Sequence, residues 1–245
     1  MDLLETLIYP DWPAPANVKA LQTTRQGGIS AAPYDALNLG LHVGDDPVRV
    51  NRNRQSLEPL MPSEPVWLEQ VHGTAVANAD AAACRVQADA CIAHHRGSVC
   101  VVMTADCLPV LLCDEAGTVV GAVHAGWKGL AAGVIEATVQ AMNVEPQKLM
   151  VWFGPAIGPE AFEVGEDVRD AFVAHQDQAG EAFRRCAAPG KYHADIYLLA
   201  RQRLNSLGIT RIQGGNYCTY HQKDKFFSYR RDGVTGRMGT FIWLA

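Results

Sequence analysis

Between residues 98 and 124 three short apolar runs follow one another: SVCVVMT (98–104), PVLLCD (109–114) and TVVGAVH (118–124). Apolar and β-branched runs of this length, bounded by turn formers, predict three consecutive strands. The connection DEAG (114–117) is short enough to join the last two as an antiparallel hairpin. A chain with that hairpin near its middle has to build a sheet around it. Helical spacing follows at once: Leu130, Ala131, Val134, Ile135, Thr138, Val139 and Met142 predict one helix. KLMVWFG (148–154) and GTFIWL (239–244) predict further strands, as does VWLEQV (66–71). Ile196, Leu199, Ala200, Leu204 and Leu207 predict an amphipathic helix over 194–207. Strands and helices in this order define an α/β or α+β chain with a partly antiparallel sheet.

The first third reads differently. TTRQGGIS (23–30), APYDALNLG (32–40) and HVGDDP (42–47) are rich in turn formers, and loops of this kind can host a site. A chain of 245 residues suits one large domain or two small ones, and its 48% hydrophobic and 19% charged content is that of an ordinary globular protein. No apolar run approaches the ~20 residues that span a bilayer. The N-terminus MDLLETLIYPDWPAP has early acidic residues and no basic segment, unlike a secretory signal. The seven cysteines (84, 91, 100, 107, 113, 186 and 218) are odd in number and contain no CxxC pair, which predicts reduced thiols and a cytoplasmic location. A net charge of −5 offers no general attraction for nucleic acid, so a small-molecule partner is expected, with neither nucleic acid nor membrane.

Cys107, in MTADCLPVLLC (103–113), is the residue that most needs explaining. A cysteine is commonly a small buried hydrophobe. This one stands between an aspartate and a proline where one strand ends and the next begins. If Cys113 pairs with Thr118 across the hairpin, the same register sets Cys107 opposite His124, with Cβ atoms ~4.5–5.5 Å apart. Continuing that pairing through Pro109 calls for an edge or irregular position. His124 opens HAGWKGL (124–130), where small Ala125 and Gly126 permit a sharp turn, and His72 follows VWLEQV. Each histidine alone is more commonly a satisfied polar or core residue. Two imidazoles and one thiolate together would give zinc three ligands and leave one position open, lowering the pKa of bound water toward ~7. The same donors suit copper in an electron-transfer site.

Five motifs then carry a family resemblance. WLEQVHG (67–73), MTADCLPVLL (103–112), VHAGWKGL (123–130), FGPAIGPEAFEVG (153–165) and CTYHQKDKFFSYRRDGVTGRMG (218–239) resemble the YfiH-type purine nucleoside phosphorylases, also called the multicopper polyphenol oxidase or laccase-domain family. The resemblance runs from about Thr23 to the C-terminus. It implies a single catalytic domain over 1–245 and a compact α/β layered sandwich. The fold it implies is YfiH-like or cysteine-hydrolase-like, with mixed, partly antiparallel sheets flanked by helices. It implies zinc at His72, Cys107 and His124, phosphorolysis of adenosine, inosine and S-methylthioadenosine, and deamination of adenosine.

Phosphorolysis needs cations or backbone donors to hold phosphate. The sequence offers Arg25 and Arg230, with Arg52 behind them. Asn38 could bond a sugar or phosphate, although turn-making is its commoner role. Asp106 could orient a ligand from outside the first coordination shell or cap the turn before Leu108. From Lys223 to Arg237, five basic residues (Lys223, Lys225, Arg230, Arg231, Arg237) face two acidic ones, and Phe226, Phe227 and Tyr229 could stack on a purine. Strand alternation would send Phe227 and Tyr229 to one face.

Other chemistries fit the same residues. A multi-copper oxidase needs a copper cluster, typically built with paired H-x-H motifs, and the eight histidines contain no H-x-H. Slow copper-dependent phenol oxidation at the His–Cys–His group stays open. So do a metal-free Cys107–His124 hydrolase, an editing hydrolase that removes L-Ser from UDP-MurNAc-L-Ser, and a non-catalytic metal-binding or interaction module. Cys113 is a poor fourth ligand, ~20 Å from Cys107 along an extended strand.

Overall fold

The LPVLLCD segment is buried at every position, so its strand must be covered on both faces. That requirement organises the molecule into layers. The structure is a computed structural model that describes residues 3–81 and 86–245; Cys84 lies outside them. In chain order its helices and strands begin with α1 (Leu3–Thr6), β1 (Val18–Gln22), α2 (Pro47–Gln55), β2 (Val76–Asn78), β3 (Ala90–Ala93) and β4 (Val99–Thr104). Next come β5 (Leu108–Asp114), β6 (Val120–Ala125), α3 (Trp127–Ala132), α4 (Val134–Met142), β7 (Leu149–Phe153) and β8 (Glu163–Gly165). The last are α5 (Glu166–Val173), β9 (Phe183–Arg185), β10 (Lys191–Ala194), α6 (Ile196–Ser206), β11 (Ile212–Gly214), α7 (Tyr229–Asp232) and β12 (Met238–Leu244).

Six strands in the order β11-β7-β5-β6-β3-β2 form the main sheet, parallel at its two outer pairings and antiparallel within. A second, antiparallel sheet has the order β1-β12-β4, and a small third one β8-β10-β9. Strand alternation distributes side chains between the layers. Leu108, Val110 and Leu112 of β5 pack with Val134 and Ile135 of α4 and Leu199 of α6. Leu111 and Cys113 point the other way, meeting Cys100 and Val102 of β4 and Ile242 of β12. The far face of the second sheet, with Val101, Phe241 and Trp243, is covered by Leu37, Leu39 and Leu57 from the turn-rich first third. Each such buried side chain contributes about 1.5–3 kcal/mol relative to exposure. The expected sandwich of mixed sheets and helices is therefore present.

Several local expectations need correction. The helix predicted over 130–142 is two helices, α3 and α4, because Gly133 at φ 96° breaks the run in a left-handed conformation. VWLEQV is not a strand. Among the described residues it makes only single bridges, Val66 to Cys100 and Glu69 to Gln87. The Gln70 side chain substitutes for a ladder there, accepting from the Met103 N–H at 2.7 Å and donating to its carbonyl at 2.8 Å. The hairpin pairs Cys113 with Val120, a shift of two residues from the predicted register. Asp114 explains the shift: its carboxylate accepts from the N–H groups of Thr118 and Val119 at 2.6 and 3.0 Å, withdrawing Thr118 from the ladder. A shift of two keeps every side chain on its expected face. His124 consequently stands opposite Pro109, and Cys107 lies just beyond the last pair, Leu108 with Ala125.

Pro109 occupies a central strand rather than an edge, but at its open end. Pairing with β7 starts only at Val110, and Gly154 N–H donates to the Pro109 carbonyl at 2.9 Å. Residues 226–229 form no strand. Phe226 and Phe227 are fully buried, whereas Tyr229 starts α7 and is 61% exposed, so Phe227 and Tyr229 do not share a face.

Candidate metal centre

Three chain segments meet beside the open end of β5 and β6. Cys107 ends the turn that leaves β4 of one sheet and enters β5 of the other. His124 is the penultimate residue of β6. His72 sits in the loop after Glu69, at φ 62°. One donor atom from each of the three lies within 4.8 Å of the other two, and among the described residues no other such group of His, Cys, Asp or Glu occurs. Cys107 Sγ is 3.7 Å from His72 Nε2, and the two imidazole rings lie edge to face with centroids 4.7 Å apart.

Asp89, immediately before β3, holds this arrangement. Its fully buried carboxylate takes His124 Nδ1 at 2.8 Å. The same group accepts the backbone N–H of Val71 at 3.2 Å, His72 at 2.9 Å and Gly73 at 2.6 Å. One side chain thus orients one imidazole and pins the loop that carries the other, a demanding backbone for a non-glycine residue. Burial would raise the Asp89 pKa, but the bonds from His124 and from the Gly73 and His72 N–H groups hold it below the usual carboxylate range. Burial also opposes ionisation of Cys107, yet the charge and hydrogen bond of His124, helped by His72, bring its pKa down to about 6. His124 mirrors this: burial would lower it, and the charge of Cys107 with the hydrogen bond to Asp89 raises it to about 9. Each group thus favours the charged form of the other, toward a thiolate and an imidazolium.

The donor set suits a metal. With Zn–S of about 2.3 Å and Zn–N of about 2.05 Å, tetrahedral geometry places S and N about 3.6 Å apart, and the observed separation is 3.7 Å. Asp89 on Nδ1 leaves His124 Nε2 as the donor, the arrangement of carboxylate and ligating histidine usual at zinc. Gly126 makes room for it. A Cβ there would lie 2.5 Å from His72 Cδ2 and 3.2 Å from Cys107 Sγ. Gly129 lets α3 approach the same loop, since its Cβ would meet the Gly73 carbonyl at 2.8 Å.

A cavity of about 140 Å³ opens onto Cys107, walled by Trp127, Ile157, Phe162, Ile196 and Tyr229, with Arg230 and Asp106 at its edge. Arg230 is held there by donation from Nη1 to the Glu163 carbonyl at 2.8 Å. Among the described residues the Asp106 side chain makes no hydrogen bond to the three donors or to the N–H groups of the following turn. At φ 93°, it accepts from Thr219 Oγ1 at 2.6 Å and Arg230 N–H at 2.7 Å, clamping the C-terminal segment onto the Cys107 turn.

Arg25 and Asn38 are elsewhere, and the geometry does not carry their expected substrate contacts. Arg25 donates to the carbonyls of Asp35 and Lys223, pairs with the Asp35 carboxylate and lies over the Phe227 ring; it lines a separate cleft with Arg231 and Asp232. Asn38 is fully buried and committed to Gly40, Asp45 and the Arg237 N–H, so turn-making is its role. Arg52 is exposed on α2. Arg231 of the basic cluster serves the fold, donating to the Thr219, Tyr220 and Phe226 carbonyls. Sequence reasoning missed Asp89, whose only signal is a lone acid ahead of the apolar run ACIA.

A layered α/β sandwich with a Cys–His–His donor set at the open end of its central strands defines a class, and comparison with known proteins names it. Residues 19–245 match the family described as multi-copper polyphenol oxidoreductase laccase, and the chain belongs to that family. It is 54% identical to a purine nucleoside phosphorylase of Pseudomonas aeruginosa, over 97% of this chain and 98% of that one. With the purine nucleoside phosphorylase YfiH of Escherichia coli it shares 53% identity, over 98% of this chain and all of that one (100%). A crystal structure of a Neisseria meningitidis protein superposes with a TM-score of 0.93 at 50% identity, covering 98% of this chain and 99% of that one. YlmD from Geobacillus stearothermophilus gives 0.85 at 32% identity, covering 95% and 93%.

Proposed function

We propose that the protein is a zinc-dependent purine nucleoside phosphorylase acting on adenosine, inosine and S-methylthioadenosine, with adenosine deaminase activity at the same site. The observation that carries this reading is the convergence of His72, Cys107 and His124, ordered by Asp89, at the mouth of an aromatic-walled cavity. The names of the two bacterial relatives supply the substrate class. His72 Nε2, Cys107 Sγ and His124 Nε2 would hold the ion, and zinc bound there supplies Lewis acidity at an open position.

The chain's own residues do the rest. Trp127, Phe162 and Tyr229 offer ring faces and edges against which a purine can pack. Arg230, fixed by the Glu163 carbonyl, presents a cation at the same cavity. In phosphorolysis a phosphate oxygen bonds ribose C1′ while the C1′–N9 bond breaks. The bond electrons pass to the purine, which takes up a proton, leaving ribose 1-phosphate. In deamination water adds at C6 of adenine and ammonia leaves, giving inosine. The deciding assay incubates inosine and adenosine with and without phosphate and identifies the products. Ribose 1-phosphate from inosine only when phosphate is present, abolished by chelation and restored by zinc, is the expected result. Turnover confined to UDP-MurNAc-L-Ser, or to phenols with copper, would reject it.

A specific observation favours one second reading. The lowered Cys107 and raised His124 pKa values describe a nucleophile and its acid partner, which is what a metal-free hydrolase requires. Activity that survives chelation would select it.

Gly126→Ala tests the packing directly. The added methyl forces the His72 ring away from Cys107, so zinc affinity should fall by about 10–100-fold, as when a ligand loses its support. Titration against a competing chelator reads this, and unchanged affinity would refute it.

A further inference from the structure

The reaction just proposed needs a seat for phosphate, and the arginines most visible in the sequence do not provide a complete one. Arg230 lines the cavity as a single cation with Nη1 on the Glu163 carbonyl, Arg25 and Arg231 hold backbone carbonyls away from it, and Arg52 is an exposed residue of α2. Arg237 is placed differently. The first pair between β12 and β4 is Met238 with Thr104, so Arg237 sits beside the turn that carries Asp106 and Cys107. Its guanidinium carbon lies 5.9 Å from the centroid of Tyr229, a ring that lines the cavity with Cys107.

The stem of Arg237 is fixed at three points. Gly40 lets it pass, since a Cβ there would be 2.8 Å from Arg237 Cγ. Its backbone N–H donates to Asn38 Oδ1 at 2.9 Å. Nη1 donates to the Thr235 and Gly236 carbonyls, both at 3.0 Å. The opposite edge of the guanidinium, Nε and Nη2, makes no hydrogen bond among the described residues, and no carboxylate pairs with it there. A half-buried guanidinium with one edge anchored and the other uncommitted is pre-organised for a planar, two-pronged hold on an oxyanion. Burial first, then the charges of Arg237, Arg54 and His124, depress the His42 pKa, so these groups share one electrostatic neighbourhood. Burial likewise depresses that of Arg237, against the favourable charges of Cys107 and Asp106.

We infer that Arg237 is an anion-binding residue of the site, taking a tetrahedral oxyanion of the phosphate class through its Nε and Nη2 edge. Identifying that anion as the phosphate consumed in nucleoside cleavage rests on the function proposed above. The anion site itself does not. Two measurements keep them apart, both on the full chain with inorganic phosphate as probe. First, phosphate binding is followed by ³¹P line broadening for the wild type and for Arg237→Gln, Arg237→Lys and, as control, Arg52→Gln. Loss of a charge-assisted pair of bonds should weaken binding by about 10–100-fold in Arg237→Gln, with a smaller loss in Arg237→Lys and none in Arg52→Gln. In turnover, the KM for phosphate should rise by a similar factor while that for inosine changes far less. Second, phenylglyoxal modification of the wild-type chain is mapped by mass spectrometry, which needs no variant to fold. Phosphate should slow modification of Arg237 and not of Arg52.

Binding undiminished in Arg237→Gln, no protection of Arg237, or no phosphate binding by the wild type would overturn the inference. Phosphate binding that depends on Arg237 in a protein that cleaves no nucleoside would keep the anion site and remove the phosphorylase reading.

Discussion

Cys107→Ser should abolish both zinc retention and nucleoside turnover, by more than the ~10–100-fold typical when only a ligand's outer partner is lost. The thiolate is the single anionic donor of the three, and its charge, together with the bond to Asp89, raises His124. A serine hydroxyl stays neutral at working pH and removes that charge from the site. It keeps the size of the side chain nearly unchanged, so the turn from β4 to β5 should remain intact. Metal content by elemental analysis, with product formation from inosine and phosphate, checks the prediction. A serine variant that keeps its zinc and its rate would take Cys107 out of the chemistry.

Asp89→Asn should have the second largest effect, and on two quantities at once. The carboxylate satisfies three backbone N–H groups and His124 Nδ1 from a fully buried position. An asparagine must turn its NH₂ toward some of these donors, leaving buried groups unmet. Breaking a buried pair of this kind costs about 3–5 kcal/mol. Zinc affinity and activity should fall by about 10–100-fold through the loss of His124 orientation. Sign matters for the pH dependence. The Asp89 pKa is lowered on folding, so its contribution is present above the unfolded carboxylate value and is lost as pH falls through the folded one. Wild-type stability should therefore drop in acid more steeply than that of Asp89→Asn, which lacks this group. Denaturant melts at several pH values, with metal titration, check both parts; parallel pH profiles would contradict them.

How much of this was legible in the sequence depends on the scale of the feature. Strands β4, β5, β6, β7 and β12 were readable because a strand covered on both faces is written as an unbroken apolar run. The edge strands β2, β8, β9 and β11 were not, being three residues each with polar positions. His72, Cys107 and His124 were readable by residue type and motif, and the structure brings them together. The register that sets Cys107 opposite His124 is displaced by two residues because a side chain, Asp114, takes the N–H groups of Thr118 and Val119. Asp89 escaped because its partners come from distant segments at 71–73 and 124. Among the basic residues of 223–237, sequence could show an excess of charge and not its destination. Only tertiary placement separates Arg231, which ties carbonyls, from Arg237, which keeps one edge of its fork uncommitted.

The turn at residues 105–107 is the place where the backbone leaves one sheet and joins the other. A sulfur mounted on that bridge and two imidazoles referred to the larger sheet make the site a gauge of how the two layers sit on each other. Sliding them by a fraction of an ångström, for instance by altering Leu111 or Ile242 in the seam between them, would reach the donors without touching any of them. Repacking an interior far from the reaction is then a way to tune it.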